Sequence, residues 1–128
     1  YLMYEKLISE SLKAKRFSHS PYSKFRVGVA LLTNKGKIYY GANVECSSYS
    51  LTICAERVAA VKAITDRQKK FKAVAISSDS SEFAFPCGAC RQFLSEFSDN
   101  MDVILVRSKT KYQIYKLQNL FPHKFKLK

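Results

Sequence analysis

The chain has 128 residues, 47% of them hydrophobic and 13% aromatic, which suits one compact domain with a sizeable core and excludes wholesale disorder. No apolar run approaches the ~20 residues of a membrane-spanning helix, and no basic, apolar and small-residue leader pattern is present, so a cytoplasmic location is expected. Lys and Arg total 22 against 10 acidic residues, a net charge of +12; the charges are spread along the chain and form no nucleic-acid-binding motif, which favours a solvated lysine-rich surface over a nucleic-acid partner.

Residues 2–17 carry Leu2, Tyr4, Leu7, Ile8, Leu12 and Phe17 at helical spacing, with Glu5, Lys6, Glu10, Lys13 and Arg16 on the other face, which predicts an amphipathic helix. The segment Ser18-His19-Ser20-Pro21-Tyr22-Ser23 ends it, since Pro21 has no N–H for the helical ladder. Residues 25–33 are apolar and β-branched, Asn34-Lys35-Gly36 supplies turn chemistry, and Lys37-Ile38-Tyr39-Tyr40 returns, predicting a β-hairpin. Gly28, inside the first strand, marks either a bulge or a close approach by another group. Gly41 to Ser50 is a polar connection of the kind that carries function on a rigid scaffold. From Ile53 to about Asp66 the pattern is helical and apolar on most faces, so this helix is expected to be buried in the core or against another subunit. Ala73-Val74-Ala75-Ile76 and Val103-Ile104-Leu105-Val106 suit central strands covered on both faces, with a helix from Gly88 to Phe97 between them. A last strand is expected over Tyr112–Tyr115, then a short turn near Leu117–Leu120. The order α-β-β-α-β-α-β-β predicts an α/β fold, a mixed sheet with helices packed on it, in a single domain over residues 1–128.

The cysteines are Cys46, Cys54, Cys87 and Cys90. Clustered thiols in an intracellular chain point to metal or redox chemistry rather than to disulfides. Cys54 and the Cys87/Cys90 pair each lie where a helix begins after a polar loop, and helix N-termini favour the thiolate that binds metal. The CxxC spacing sets two sulfurs on one side of a turn, and a third from a neighbouring helix start completes a tripod for zinc. A structural zinc site is closed by four protein ligands, and Cys46 could supply the fourth; a catalytic one keeps a position open. Glu56, two residues past Cys54, has no purpose in a closed four-cysteine site, but in a hydrolytic site it is the general acid/base. A C-x-E joined to P-C-x-x-C therefore favours hydrolysis over a structural zinc module or a redox CxxC.

That pair of motifs resembles the H-x-E…P-C-x-x-C signature of zinc deaminases in its three-cysteine form. Ser20-Pro21-Tyr22-Ser23-Lys24-Phe25, Gly41-Ala42-Asn43-Val44-Glu45, Leu51-Thr52-Ile53-Cys54-Ala55-Glu56-Arg57 and Pro86-Cys87-Gly88-Ala89-Cys90-Arg91-Gln92 are similar to segments of the small homotetrameric cytidine deaminases, in register over nearly the whole chain. The resemblance implies a three-layer α-β-α fold with a mixed five-stranded sheet. It also implies one Zn2+ per subunit held by Cys54, Cys87 and Cys90. The implied reaction converts cytidine and deoxycytidine to uridine and deoxyuridine with loss of ammonia, in pyrimidine nucleoside salvage. Water attacks C4 of the ring, and Glu56 passes the proton to N3 and on to the leaving amine. Arg57 would donate to the zinc-bound sulfurs and offset the excess negative charge of three thiolates.

The same resemblance assigns the substrate contacts. Asn43 and Glu45 grip the ribose hydroxyls, their i, i+2 spacing projecting both side chains one way from an extended segment. Phe25 packs on the pyrimidine, and the Ala55 backbone meets its polar edge. Tyr49 and Phe125 complete a neighbouring subunit's pocket, so a homotetramer with shared active sites is expected. A carboxylate at the ribose 3′-OH disfavours a 3′-phosphodiester, which counts against a deaminase acting on RNA or DNA; neither nucleic acid nor membrane is an expected partner. The chain departs from the family at Cys46, where Asn is frequent, at Ser50 for Gly, at Arg26 for Pro, and at Phe85, where Ser usually precedes the proline.

Overall fold

The structure is a computed structural model and describes residues 2–127. Its first helix, α1 (Leu2–Ala14), buries Leu7 and Ile8. The chain then tightens into a 3-10 turn over Lys15–Phe17. That tightening changes the angular step per residue, so Phe17 swings off the apolar stripe on which helical spacing placed it. It is 65% exposed, with the Arg16 guanidinium 5.0 Å from its ring centre.

The hairpin forms from β1 (Val27–Thr33) and β2 (Ile38–Ala42), paired antiparallel, with Gly36 at φ +85° in the turn. A positive φ of that size is one that glycine adopts at little steric cost. β1 begins at Val27 rather than residue 25 because side chains claim the preceding backbone: Asn43 Nδ2 donates to the Phe25 carbonyl, and Arg26 N donates to Asp79. Gly28 marks a close approach, not a bulge: a Cβ there would lie 2.3 Å from the Ser11 carbonyl oxygen of α1. The register shift in β1 falls instead at Leu32/Thr33, against β3 (Phe71–Ser78).

β3 runs parallel to β4 (Asp102–Val106), and the crossover between them contains α3 (Gly88–Ser95). β5 (Tyr112–Lys116) pairs antiparallel with β4 and leads into the single turn α4 (Leu117–Leu120). The sheet order is β2-β1-β3-β4-β5. Alternation along the strands divides the core between two faces. Ala30, Leu32, Ala73, Ala75, Ile104 and Val106 face α1. Val29, Leu31, Val74, Ile76, Val103 and Leu105 face α2 (Ala55–Thr65), α3 and Leu117. The result is three layers, α-β-α, around a mixed sheet of five strands.

Within the chain α2 is not buried all round. Ala55, Ala59, Ala60 and Ala63 meet the sheet, and their small side chains permit close packing, while Val61 remains 44% exposed. Of the two settings expected for this helix, the core takes only its alanine face. The sheet and α1 thus act as a platform on which the N-termini of α2 and α3 meet, and there the chemistry collects.

Candidate active site

Cys54 is the N-cap of α2 and Cys87 the N-cap of α3, with Cys90 in the first turn of α3. Their sulfurs all lie within 4.8 Å of one another, and Cys54 Sγ is 3.9 Å from Cys87 Sγ. A tetrahedral zinc with Zn–S bonds of ~2.3 Å requires sulfurs ~3.8 Å apart, so the donor set fits that ion. A separation of 3.9 Å is far too long for a disulfide. The Cys90 backbone N–H donates to Cys87 Sγ at 3.4 Å, and Arg57 Nη2 donates to Cys54 Sγ at 3.6 Å. Hydrogen bonding from the Cys90 thiol, then from Arg57 and Cys87, pulls the Cys54 thiol down to about 5. Cys90, which gives up that bond to Cys54 and is buried, is pushed upward. These bonds favour thiolate at Cys54, the form that binds metal.

Cys46 lies outside the sulfur group; its backbone N–H donates to Thr52 Oγ1 at 3.3 Å. Among the described residues the cluster has three sulfurs and no fourth, so a site closed by four cysteines is not what the chain builds.

Glu56 is the second residue of α2 and is 6% exposed. Burial pushes its carboxyl up to about 7, and the negative charge at Cys54 adds to the shift. A carboxyl with that affinity can both take and return a proton near neutral pH.

Cys54, Cys87 and Glu56 line one cavity of about 450 Å³, and the fully buried Cys90 is not part of that lining. Cys54, Glu56, Cys87 and Phe85 line one part of its wall, and Asn43, Glu45 and Tyr49 contribute another. Phe25, Val27 and Ile76 supply apolar lining, and Ala55, fully buried, contributes beside Glu56. Phe85 is half-exposed and packs its ring 5.3 Å from that of Tyr115.

Glu45 is held from the loop after α1. Ser23 Oγ donates to Oε2, and the backbone N–H groups of Tyr22 and Ser23 both donate to Oε1 at 3.1 Å. Tyr49 OH adds a longer bond of 3.4 Å to Oε2. The Ser23 hydroxyl is the main reason the Glu45 carboxyl sits below its usual range, so it is ionised at neutral pH. Asn43 is bound more fully: Oδ1 accepts from Val27 N at 2.9 Å and Ser18 Oγ at 2.5 Å, while Nδ2 donates to the Phe25 carbonyl at 2.9 Å. Its amide therefore shapes the loop that presents Phe25 and keeps one N–H to spare.

The two aromatic residues expected to serve a neighbouring pocket differ in position. Tyr49 lines its own chain's cavity. Phe125 is 68% exposed and is not part of that lining. Sequence reasoning had passed over Ser18 and Ser23, which fix Asn43 and Glu45, because contacts spanning more than twenty residues leave no spacing pattern. The available signals are the serines flanking Pro21, which read as a turn, and the family-like segment 20–25, which contains Ser23 but assigns it no role.

The model of the family described as "Cytidine and deoxycytidylate deaminase zinc-binding region" matches residues 3–106. The cytidine deaminase of Sporosarcina psychrophila is 47% identical over 122 residues, 94% of this chain and 90% of its own length. The "Probable cytidine deaminase" of Dictyostelium discoideum is 50% identical over 117 residues, 88% of this chain and 79% of its own. The crystal structure of cytidine deaminase from Burkholderia pseudomallei matches with a TM-score of 0.89 at 36% identity, covering 94% of this chain and 97% of that one.

Proposed function

Because the chain belongs to the cytidine and deoxycytidylate deaminases, we propose that its cavity is the site at which it hydrolyses the exocyclic amine of cytidine and deoxycytidine, with Cys54, Cys87 and Cys90 as the zinc ligands. The reaction itself, zinc-dependent hydrolytic deamination of cytidine, follows from the family and from relatives of that activity. The observation that carries the assignment of residues is a cluster of three sulfurs of which two, those of Cys54 and Cys87, belong to residues that line one cavity together with the buried Glu56 and with Glu45.

When bound, zinc supplies a Lewis acid that lowers the pKa of a water to ~7. Glu56 takes a proton as the water oxygen bonds to C4, and delivers it to ring N3. The remaining water proton, on the new C4 hydroxyl, passes through Glu56 to the exocyclic nitrogen; the C4–N bond breaks as the C4 carbonyl forms, and ammonia and uridine leave. Arg57 tempers the charge of the sulfurs through its bond to Cys54. Phe25 provides an apolar face for the pyrimidine, and the Ala55 backbone meets its polar edge. The ionised Glu45 accepts from a ribose hydroxyl, and the spare N–H of Asn43 donates to another. A carboxylate in that place repels a 3′-phosphate, so the substrate is a free nucleoside rather than a polynucleotide.

The assembly we infer is a homotetramer. Phe125 is largely exposed outside its own cavity, and Val61 and Ile53 leave apolar surface on and beside α2. These features suit sites completed by a second copy of the chain. A free nucleoside substrate fits pyrimidine salvage in the cytoplasm, and among the described residues no helix is long and apolar enough to cross a membrane.

The test is to incubate the purified protein with cytidine, deoxycytidine, CMP, cytosine and a C-containing oligonucleotide, following the loss of cytosine absorbance. Turnover of the two nucleosides alone is expected; turnover of the oligonucleotide at a comparable rate would sink the assignment of Glu45. A fully active monomer by solution mass would contradict the shared site.

A further inference from the structure

Of the three sulfurs, that of Cys87 is reached by the least regular path. Residues 79–87 form no helix or strand, and Cys87 is exposed where Cys90 is fully buried. The helix backbone holds Cys87 itself, Arg91 N donating to its carbonyl at 2.9 Å and Cys90 N to its Sγ at 3.4 Å, but the entry to that turn at Pro86 is left for a side chain to fix. Arg91, on α3, does so with both ends of its guanidinium. Its Nε donates to the Pro86 carbonyl at 2.7 Å, immediately before Cys87, and its Nη1 donates to the Leu120 carbonyl at 2.8 Å, at the end of α4.

The join continues along the helix. Gln92 Nε2 donates to the Phe125 carbonyl at 2.9 Å, and Lys124 Nζ donates to the Ser95 carbonyl at 3.1 Å. α3 therefore carries two of the sulfurs near its N-terminus and the C-terminal segment 120–125 along its length. The terminal carbonyls of a helix have no intrahelical donor. A planar guanidinium with directed donors can bridge such a carbonyl and a second one in a fixed geometry, which a lysine ammonium cannot.

We propose that Arg91 is a positioning residue for the deamination: by bridging the Pro86 and Leu120 carbonyls it aims the Cys87 turn at the metal, and ties metal retention to the end of α4 at Leu120. The inference rests on the reading of Cys54, Cys87 and Cys90 as ligands. Groups that orient metal ligands commonly change affinity or activity by about 10–100-fold when removed.

The experiment is zinc release from the full-length protein to a colorimetric chelator in stopped flow, beside steady-state kinetics on cytidine. Arg91→Ala should release zinc at least about tenfold faster and lose a similar factor in kcat. KM should stay within about twofold, because the Glu45 contacts are untouched. Arg91→Lys, restoring one bond of the two, should fall between. Gln92→Ala cuts the neighbouring tie without touching Pro86 and should release zinc at the parental rate. Where Arg91→Ala fails to fold, Arg91→Lys carries the comparison. Parental release rates and kcat in the Arg91 variants that fold would overturn the inference, and so would equal acceleration in Gln92→Ala, which would mean general loosening of α3. A parent that holds no zinc would instead overturn the ligand assignment, and this inference with it.

Discussion

Arg57 sets its Nη2 3.6 Å from the sulfur of Cys54, while its Nε is buried without a hydrogen-bond partner among the described residues. A buried, unsatisfied N–H costs about 1–3 kcal/mol, so the side chain is held here against a penalty. Charge would offset it in the proposed site: three thiolates on one Zn2+ would sum to −1, and a guanidinium at the sulfur edge would reduce that excess. Interaction with Cys54 also holds Arg57 firmly protonated.

Replacing Arg57 with alanine therefore tests electrostatics rather than packing. Arg57→Ala should retain less zinc after dialysis against a chelator and lose about 10–100-fold in turnover. Metal content by mass spectrometry and kcat on cytidine are the two readings. Parental values in both would show that Arg57 does not act on the sulfurs.

Glu56 separates metal binding from proton transfer. Its carboxyl is buried and burial favours its neutral form, so the isosteric Glu56→Gln keeps the shape of the side chain and leaves no unpaired buried charge. We expect the variant to fold, to hold zinc in the parental ratio, and to lose at least about 10²–10⁴-fold in kcat. Deamination near the parental rate would end the case for Glu56 as the proton carrier.

Much of this was legible in the chain because it is local. The strands of the central sheet are short unbroken apolar runs, and the helices carry their own period. The sulfurs and Glu56 sit at helix starts, where two short motifs hold nearly all the chemistry. What escaped depends on tertiary partners. Phe25 and Arg26 read as strand, yet Asn43 and Asp79 take up their backbone groups. Phe17 read as core until the last turn of its helix tightened. The bonds from Ser23 to Glu45 and from Arg91 to Leu120 span 22 and 29 residues, distances over which a single sequence carries no signal.

The pairing that displaces Arg26 from β1 also sets an acid limit. Arg26 Nε and Nη2 meet the two oxygens of Asp79 at 2.9 and 3.0 Å, and Lys15 Nζ lies 3.6 Å away. The Arg26 guanidinium, chiefly by hydrogen bonding, holds the Asp79 carboxyl below its ordinary value. An unfolded aspartate titrates near ~3.9, so the folded state binds its proton less readily. The stabilisation is complete above that pH and is lost as the pH falls through the lower folded value. Asp79→Asn should lower the melting temperature at pH 7, and the gap to the parent should close below about pH 4. A gap that stays constant down to pH 2 would show that the ion pair contributes nothing.

The last prediction concerns the spacing on which the whole site rests. A Cβ added at Gly41 of β2 would lie 2.2 Å from the Ala55 carbonyl oxygen and 2.6 Å from the Ala59 N, both backbone atoms of α2. Neither can rotate aside, so the helix itself must move. Its first turn carries Ala55, Glu56 and Arg57, and its N-cap is Cys54. Gly41→Ala should thus cost about 1–3 kcal/mol, the range for overpacking. That corresponds to a fall of roughly 3–15 °C in melting temperature, accompanied by faster zinc loss and lower kcat. Gly36→Ala is the contrast: no atom lies within 4 Å of its added Cβ, but φ is +85°. Its cost is backbone strain of about 1–2 kcal/mol, far from the sulfurs in the hairpin turn. It should lower the melting temperature while leaving kcat and zinc release at parental values. Equal losses of kcat in both variants would mean that activity follows global stability and not the seat of α2 on β2.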